Sequence, residues 1–295
     1  MSVLYLAQIG TLALIQTLLA TGLNLVMGYA GRVSFGQAAI FGGAAYGVAI
    51  ATVRFGMTPL AAAAVGMAVA LGLGLLFAVA TLRARGVYFL LTTLALGQVV
   101  WGLAYRWVSL TGGDNGLPGV PRPGGGIVWS FADDRGFFLL ALIVCAAGVG
   151  LMYLLTESPA GYALRGVRDS ESRMRTLGYN VELYHASAVV IAALYAGAAG
   201  VLYAFYNGFV SPQDLHVSVS ADAVLTVILG GSGTVLGPAL GAVAMVLLEN
   251  WLSSVTSRWS LILGVLYILV VLYAPRGLAG LRLKGAARRV SPAGR

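Results

Sequence analysis

Apolar residues in this chain run in long blocks instead of alternating with polar ones. The blocks fall near residues 3–27, 33–53, 57–81, 86–107, 136–156, 186–206, 221–250 and 259–274, with short polar stretches between them. A helix that crosses a hydrocarbon core needs about 20 mainly apolar residues, because lipid offers no partner to an unpaired backbone group. Most of the blocks meet that length. The pattern therefore predicts an all-α polytopic membrane bundle of about eight apolar segments. The first block has no basic stretch ahead of it and no small-residue cleavage pattern, so it is expected to stay in the mature chain.

Basic residues give the bundle an orientation, because they collect on the cytoplasmic side of a membrane protein. One alternating set of polar stretches holds Arg32, Arg83, Arg85, Arg165, Arg168, Arg173, Arg175, Arg276, Arg282, Lys284, Arg288, Arg289 and Arg295, thirteen of the 18 Lys and Arg residues. The other set holds Arg54, Arg106, Arg122, Arg135 and Arg258, with Asp114, Asp133, Asp134 and Asp214 nearby. The first set is expected to face the cytoplasm. Trp101, Trp107, Trp129, Trp251 and Trp259 sit at segment ends or in stretches of the second set, as an outer aromatic belt would.

This orientation conflicts with a single crossing by residues 221–250, which must pass the membrane zero times or twice if the basic tail is inside. About 30 residues are short for two full spans. The segment is therefore expected to contain a broken or re-entrant helix, with the break at Gly230-Gly231-Ser232-Gly233-Thr234. Irregular backbone at membrane depth is tolerated where protein buries it or where it lines a wet cavity. Gly230, Gly231, Gly233 and Thr234 are accordingly candidates for a translocation path; close helix packing is the alternative use of such small residues. A second interruption joins the first two blocks at Gly28-Tyr29-Ala30-Gly31-Arg32-Val33-Ser34-Phe35-Gly36-Gln37. Helical spacing would put Ser34 and Gln37 on one face, and both need polar partners in lipid. Ser34, Gly36 and Gln37 join the same candidate path, with interhelical hydrogen bonding as the alternative.

The stretch 157–185 is long and charged, and the charge rule makes it cytoplasmic. Arg165, Arg168, Asp169, Ser172, Arg173 and Arg175 alternate there with Ala163, Leu164, Val167, Met174 and Leu177. That spacing predicts a short amphipathic helix bounded by Gly161 and Gly178, able to lie on a membrane or dock in a partner's groove. A solvated connection is the alternative.

Composition narrows the function. Hydrophobic residues make up 59% of the chain, charged residues 9%, and the mean hydropathy is +0.89. The net charge of +8 lies in short stretches between apolar blocks, which fits topology and argues against nucleic-acid binding. Cys145 is the single cysteine, so neither an intrachain disulfide nor a cysteine metal site is possible. His185 and His216 fall on opposite expected sides, and no nucleophile–base set emerges. Gly230 to Gly237 lacks the lysine of a phosphate-binding loop, so any ATP hydrolysis belongs to another polypeptide. Asp222 and Glu249 are the acidic residues inside apolar blocks, both expected near segment ends. That placement argues against an ion-coupled secondary transporter, the main alternative class.

Four pieces in order carry a resemblance: GYAGRVSFGQ at 28–37, TGGDNGLPGVP at 111–121, SPAGYALRGVRDSESRMRTLGYN at 158–180 and LGGSGTVLGPALGA at 229–242. The chain resembles the branched-chain amino acid permease family of bacterial ABC importers, in particular the LivM-type subunit. The resemblance implies a multi-pass subunit of the bacterial inner membrane that translocates branched-chain or related amino acids. Family members for urea or other small polar solutes keep the substrate open. The implied assembly holds a second homologous permease, two cytosolic ATP-binding subunits, an extracytoplasmic binding protein and lipid, with no cofactor bound by this chain and ATP hydrolysed by the partners. It also implies that 157–185 is the ATPase-coupling loop within a permease domain at 1–275, followed by a basic cytoplasmic tail at 276–295. Gly161, Leu164, Arg165, Val167, Arg168, Asp169, Glu171 and Gly178 are its candidate coupling residues.

Overall fold

The computed structural model describes residues 3–124, 133–255 and, beyond them, 258, 261, 262, 264, 265 and 268. The expected last segment at 259–274 lies largely outside the described residues, and Trp129, Trp259 and the basic tail at 276–295 lie wholly outside them. The chain is nearly all helical. Its elements are α1 (Val3–Asn24), α2 (Gln37–Ala49), α3 (Pro59–Thr81), α4 (Val87–Arg106), α5 (Val108–Thr111), α6 (Asp134–Thr156), α7 (Pro159–Asp169), α8 (Glu171–Thr176), α9 (Val181–Asn207), α10 (Val217–Gly230) and α11 (Gly237–Val255). A two-residue antiparallel pairing of β1 (Leu117–Pro118) with β2 (Phe209–Val210) joins two loops at one end of the bundle.

Five helices among the described residues are long and apolar enough to cross a membrane: α1 with its continuation, α3, α4, α6 and α9. Burial sorts them. α1 and α9 are mostly covered by protein, whereas α3, α4 and α6 leave most of their length facing outward. Small residues let the central helices approach: Gly197 packs on Ala70, Gly74 on Ala193, and Gly22 on Ala192 and Tyr195. Several hydroxyls in the apolar helices are bonded back to their own turns, as in Thr17 Oγ1 to Ala13 O at 2.7 Å and Thr81 Oγ1 to Phe77 O at 2.7 Å. That satisfies them without a partner from lipid.

The seventh block becomes two helices. α10 has 14 residues and α11 has 19, and their combined reach extends beyond the expected 221–250 at both ends. α10 and α11 pack against each other as a hairpin that reverses the chain at the glycine run, and neither is among the five helices long and apolar enough to cross a membrane. At 1.5 Å per residue α10 is only about 21 Å long. His216 begins it, accepting from Ser218 N at 3.4 Å.

At the hairpin's open end, Gln8 Nε2 donates to Asp134 Oδ2 (3.0 Å), Arg122 pairs with Asp134 at 2.5 Å, and Tyr206 Oη donates to Gln8 O at 3.3 Å. These contacts fasten α1, α6 and α9 together at that end. The hairpin tip and the charged segment lie at the opposite end.

Candidate functional site

Two breaks in the helical backbone meet beneath the charged segment. At the first, α1 continues through a wide π-helical turn, Leu25–Tyr29, after which residues 30–36 run without helix to α2. The predicted block 33–53 therefore starts four residues late. Its irregular groups are paired from distant helices: Phe35 N donates to Thr93 Oγ1 of α4 at 3.1 Å, and Ser220 of α10 donates to Phe35 O (2.8 Å) while accepting from Ala38 N (2.9 Å). Ser34 accepts from Gly36 N at 3.3 Å, and Gly36 sits against the Phe77 ring. Ser34 and Gln37 are 6% and 3% exposed, and Gln37 Oε1 is buried without a hydrogen-bond partner.

At the second break the chain reverses through Gly231 (φ 115°) and Gly233 (φ 79°), backbone angles that a side chain would strain. Thr234 Oγ1 donates to Gly231 O at 2.8 Å and accepts from Gly237 N at 3.1 Å, closing the turn. Gly230 is pressed against Gly237 and Gly241, where an added β-carbon would overlap backbone. Ser232 is exposed at the tip.

Asn24 holds the two breaks together. Its Nδ2 donates to Thr234 O at 2.9 Å and its Oδ1 accepts from Gly233 N at 2.8 Å. It is fully buried. Neither Asn24 nor Ser220 was a sequence candidate, although a lone asparagine in an apolar block is a signal, because an unpaired amide there costs several kcal/mol.

The charged segment is built from two helices instead of the single one expected. Ser158 caps α7 by accepting from Gly161 N (3.3 Å), and Ser170 interrupts the run and caps α8 by accepting from Arg173 N (3.3 Å). Gly161 is thus inside the first turn, tucked against Leu155 and Thr156, and does not bound the helix; Gly178 (φ 86°) ends it as expected. Leu164 and Val167, expected to seat in a partner, are 2% and 1% exposed and pack within this chain. Leu164 joins Leu25, Val26 and Tyr29, while Val167 joins Ala163, Met174 and Val181. Tyr162, Leu177, Tyr179 and Leu183 are the large apolar side chains of the segment left outside, at 55%, 66%, 43% and 64%.

Several of its charges bond back to this chain. Arg165 donates to Thr156 O (3.1 Å) and Glu157 (2.9 Å) and lies over the rings of Tyr29 and Tyr162. The bond from Arg165 holds the Glu157 carboxyl below its ordinary range. Arg168 donates to Gly28 O beside Gly233, touching both breaks. Glu171 meets Arg32 at 2.8 Å and His185 at 3.2 Å, with Arg85 and Arg175 each at 3.9 Å. Burial pushes the Glu171 carboxyl upward, but the Arg32 bond and charge outweigh it and leave it below the usual carboxylate value. Asp169 is exposed.

Nearer the other end, a cavity of about 240 Å³ lies among α1, α2, α9, α10 and α11. Asp214, Asp222, Glu249, Gln16, Asn250 and Tyr203 give it a polar wall, and Phe41 and Val246 belong to its apolar one. Asp222 and Glu249 are therefore not at segment ends as expected; they face the interior space of the bundle. Among the described residues none of the side chains lining it is basic, and no group of His, Cys, Asp and Glu could hold a metal.

The family profile described as branched-chain amino acid transport system / permease component matches residues 5–272. The chain belongs to this family. It is a transmembrane permease subunit of an ABC importer, as its four motifs implied. The permease is 29% identical over 293 residues to the high-affinity branched-chain amino acid transport system permease protein LivM of Escherichia coli K12, covering 92% of this chain and 69% of that protein. It is 23% identical over 224 residues to the probable branched-chain amino acid transport permease protein LivM of Methanocaldococcus jannaschii, covering 70% of this chain and 63% of that one. A more distant likeness, 26% over 155 residues, covers 50% of this chain and 39% of the xylose transport system permease protein XylH of E. coli K12. No solved structure matches the permease.

Proposed function

We propose that this permease carries branched-chain or closely related amino acids across a bacterial inner membrane. ATP hydrolysed on two cytosolic partner subunits supplies the energy, and a second homologous permease completes the pathway. An extracytoplasmic binding protein delivers the solute. The observation that carries this reading is the family match over residues 5–272, joined by alignment across 92% of the chain to a permease named for branched-chain amino acids. The xylose permease aligns over only half of the chain, which favours the amino-acid reading over a sugar.

Within this reading the polar cavity is the outer part of the path. Ser34, Gly36, Gln37 and the turn Gly230, Gly231, Gly233 and Thr234 form the inner closure, since both stretches are irregular backbone held by side-chain bonds instead of continuous helix. Such elements can change arrangement without unravelling a full span. The segment 157–185 faces the cytosol as the coupling loop, and the basic tail lies on the same side. Radiolabelled leucine, isoleucine and valine uptake in cells lacking this chain tests the substrate. Loss of ATP-dependent uptake, restored by the chain, is the expected result; unchanged amino-acid uptake with loss of another solute would refute the substrate assignment.

A further inference from the structure

Arg32 belongs to the first interruption and to the basic set expected on the cytoplasmic side, and Glu171 is among the candidate coupling residues. The structure puts them in one buried contact. Arg32 is 7% exposed, and its guanidinium is held on three sides: by Glu171 at 2.8 Å, by Ala84 O at 2.9 Å, and over the Phe89 ring at 5.5 Å. Glu171 opens α8 immediately after the interruption at Ser170. The groups facing its carboxylate come from every neighbouring element: Arg32 from the α1–α2 link, Arg85 from the α3–α4 link, His185 from α9 and Arg175 from α8 itself. Arg175 is shared with Glu182 at 2.5 Å, and Arg85 is mostly solvent-exposed. Arg32 is thus the one close, buried cation among the described groups around Glu171.

On the other side of Arg32 the chain leads directly into the break. Gly31 (φ 75°) packs on the Arg168 side chain, Arg32 N donates to Val26 O at 2.9 Å, and three residues later Phe35 is pinned to Thr93 and Ser220. A displacement of α8 that keeps the Arg32 contact must therefore shift the extended link and the start of α2. Separating the pair would leave a guanidinium buried without its counter-charge, which costs more than the pair itself is worth. We infer that Arg32 and Glu171 form the rigid link by which movement of the charged segment reaches the α1–α2 break, so that both are positioning residues for transport and neither is a contact for the ATPase. This deepens the proposed function and rests on it.

The test uses the complete permease–ATPase complex in proteoliposomes, with radiolabelled leucine as the probe, and reads leucine moved per ATP hydrolysed for Glu171→Gln, Arg32→Met and the double variant. Each single change is expected to lower that ratio about tenfold while ATPase co-purification and ATP turnover persist, in line with the coupling that intervening residues carry. The double variant is expected to lose no more than the worse single, because residues acting as one pair are not additive. Glu171→Asp, which keeps the charge at shorter reach, is expected to lose less, and it stands in where the Gln variant is not recovered from membranes. A parent-like ratio in Glu171→Gln or Arg32→Met would overturn the inference. So would fully additive losses, or loss of the ATPase from the purified complex together with transport, since the pair would then serve docking. Leucine uptake by the parent protein without the ATPase would instead refute the underlying importer reading.

Discussion

Asn24 sits in the first apolar block like any other spanning residue, yet it binds backbone groups 209 and 210 residues away in the chain. Replacing it by Leu would leave Gly233 N–H and Thr234 C=O unpaired in a buried place. Asn24→Leu is expected to destabilise the permease by about 2 kcal/mol, seen as a lower melting temperature in detergent. Gly102→Ala in α4 provides the contrast, because nothing lies within 4 Å of an added β-carbon there; it is expected to melt at or slightly above the parent temperature, by the ordinary helix preference for Ala. Glu171 gives a pH prediction. Its folded carboxyl lies below the unfolded value, so its stabilising contribution is present above about pH 4.3 and is lost as pH falls through the folded value. Acid melting curves of Glu171→Gln are accordingly expected to fall less steeply below about pH 5 than those of the parent.

At the scale of elements, the charged segment separates two kinds of surface that its sequence presents as one. The spacing of apolar residues made α7 legible, and the same spacing marked Leu164 and Val167 as one face. It did not say what that face covers. Both residues are buried against this chain, so Leu164→Asp or Val167→Asp is expected to dislodge α7 and reduce the yield of folded permease, measured by size-exclusion profile in detergent. Leu177, at 66% exposure, behaves differently: Leu177→Asp is expected to leave the profile intact and to weaken co-purification of the ATPase. An unchanged profile for Val167→Asp would contradict the packing described for the segment. The hairpin of α10 and α11 shows the same division, since the glycine run marked the turn while the outer end of each helix lay beyond the apolar block.

For the whole molecule, the division of basic residues predicts which end meets the cytosol. The charged segment, the hairpin tip and Arg32 gather at one end, and the β1–β2 pairing and Asp134 clasp at the other. Cysteine placed at exposed Asp114, in the loop before β1, is expected to react with a membrane-impermeant reagent in intact cells. Cysteine at exposed Ser172 is expected to react only after permeabilisation. Labelling in the reverse pattern would invert the orientation.

The sequence alone determined the membrane class, the helical content, most span boundaries, the positions of both breaks and the family. These are local properties: lipid supplies no hydrogen-bond partner, so spans must read as long apolar runs, and interruptions must read as glycines, serines and charges. Tertiary structure alone decided which groups satisfy those interruptions. Ser220 and Thr93 serve the first break and Asn24 the second, while Arg32 pairs with Glu171 across 139 positions. It also decided that Asp222 and Glu249 face a cavity, because the direction a side chain takes in a bundle depends on which helix lies beside it, and no periodicity within one apolar block records that neighbour.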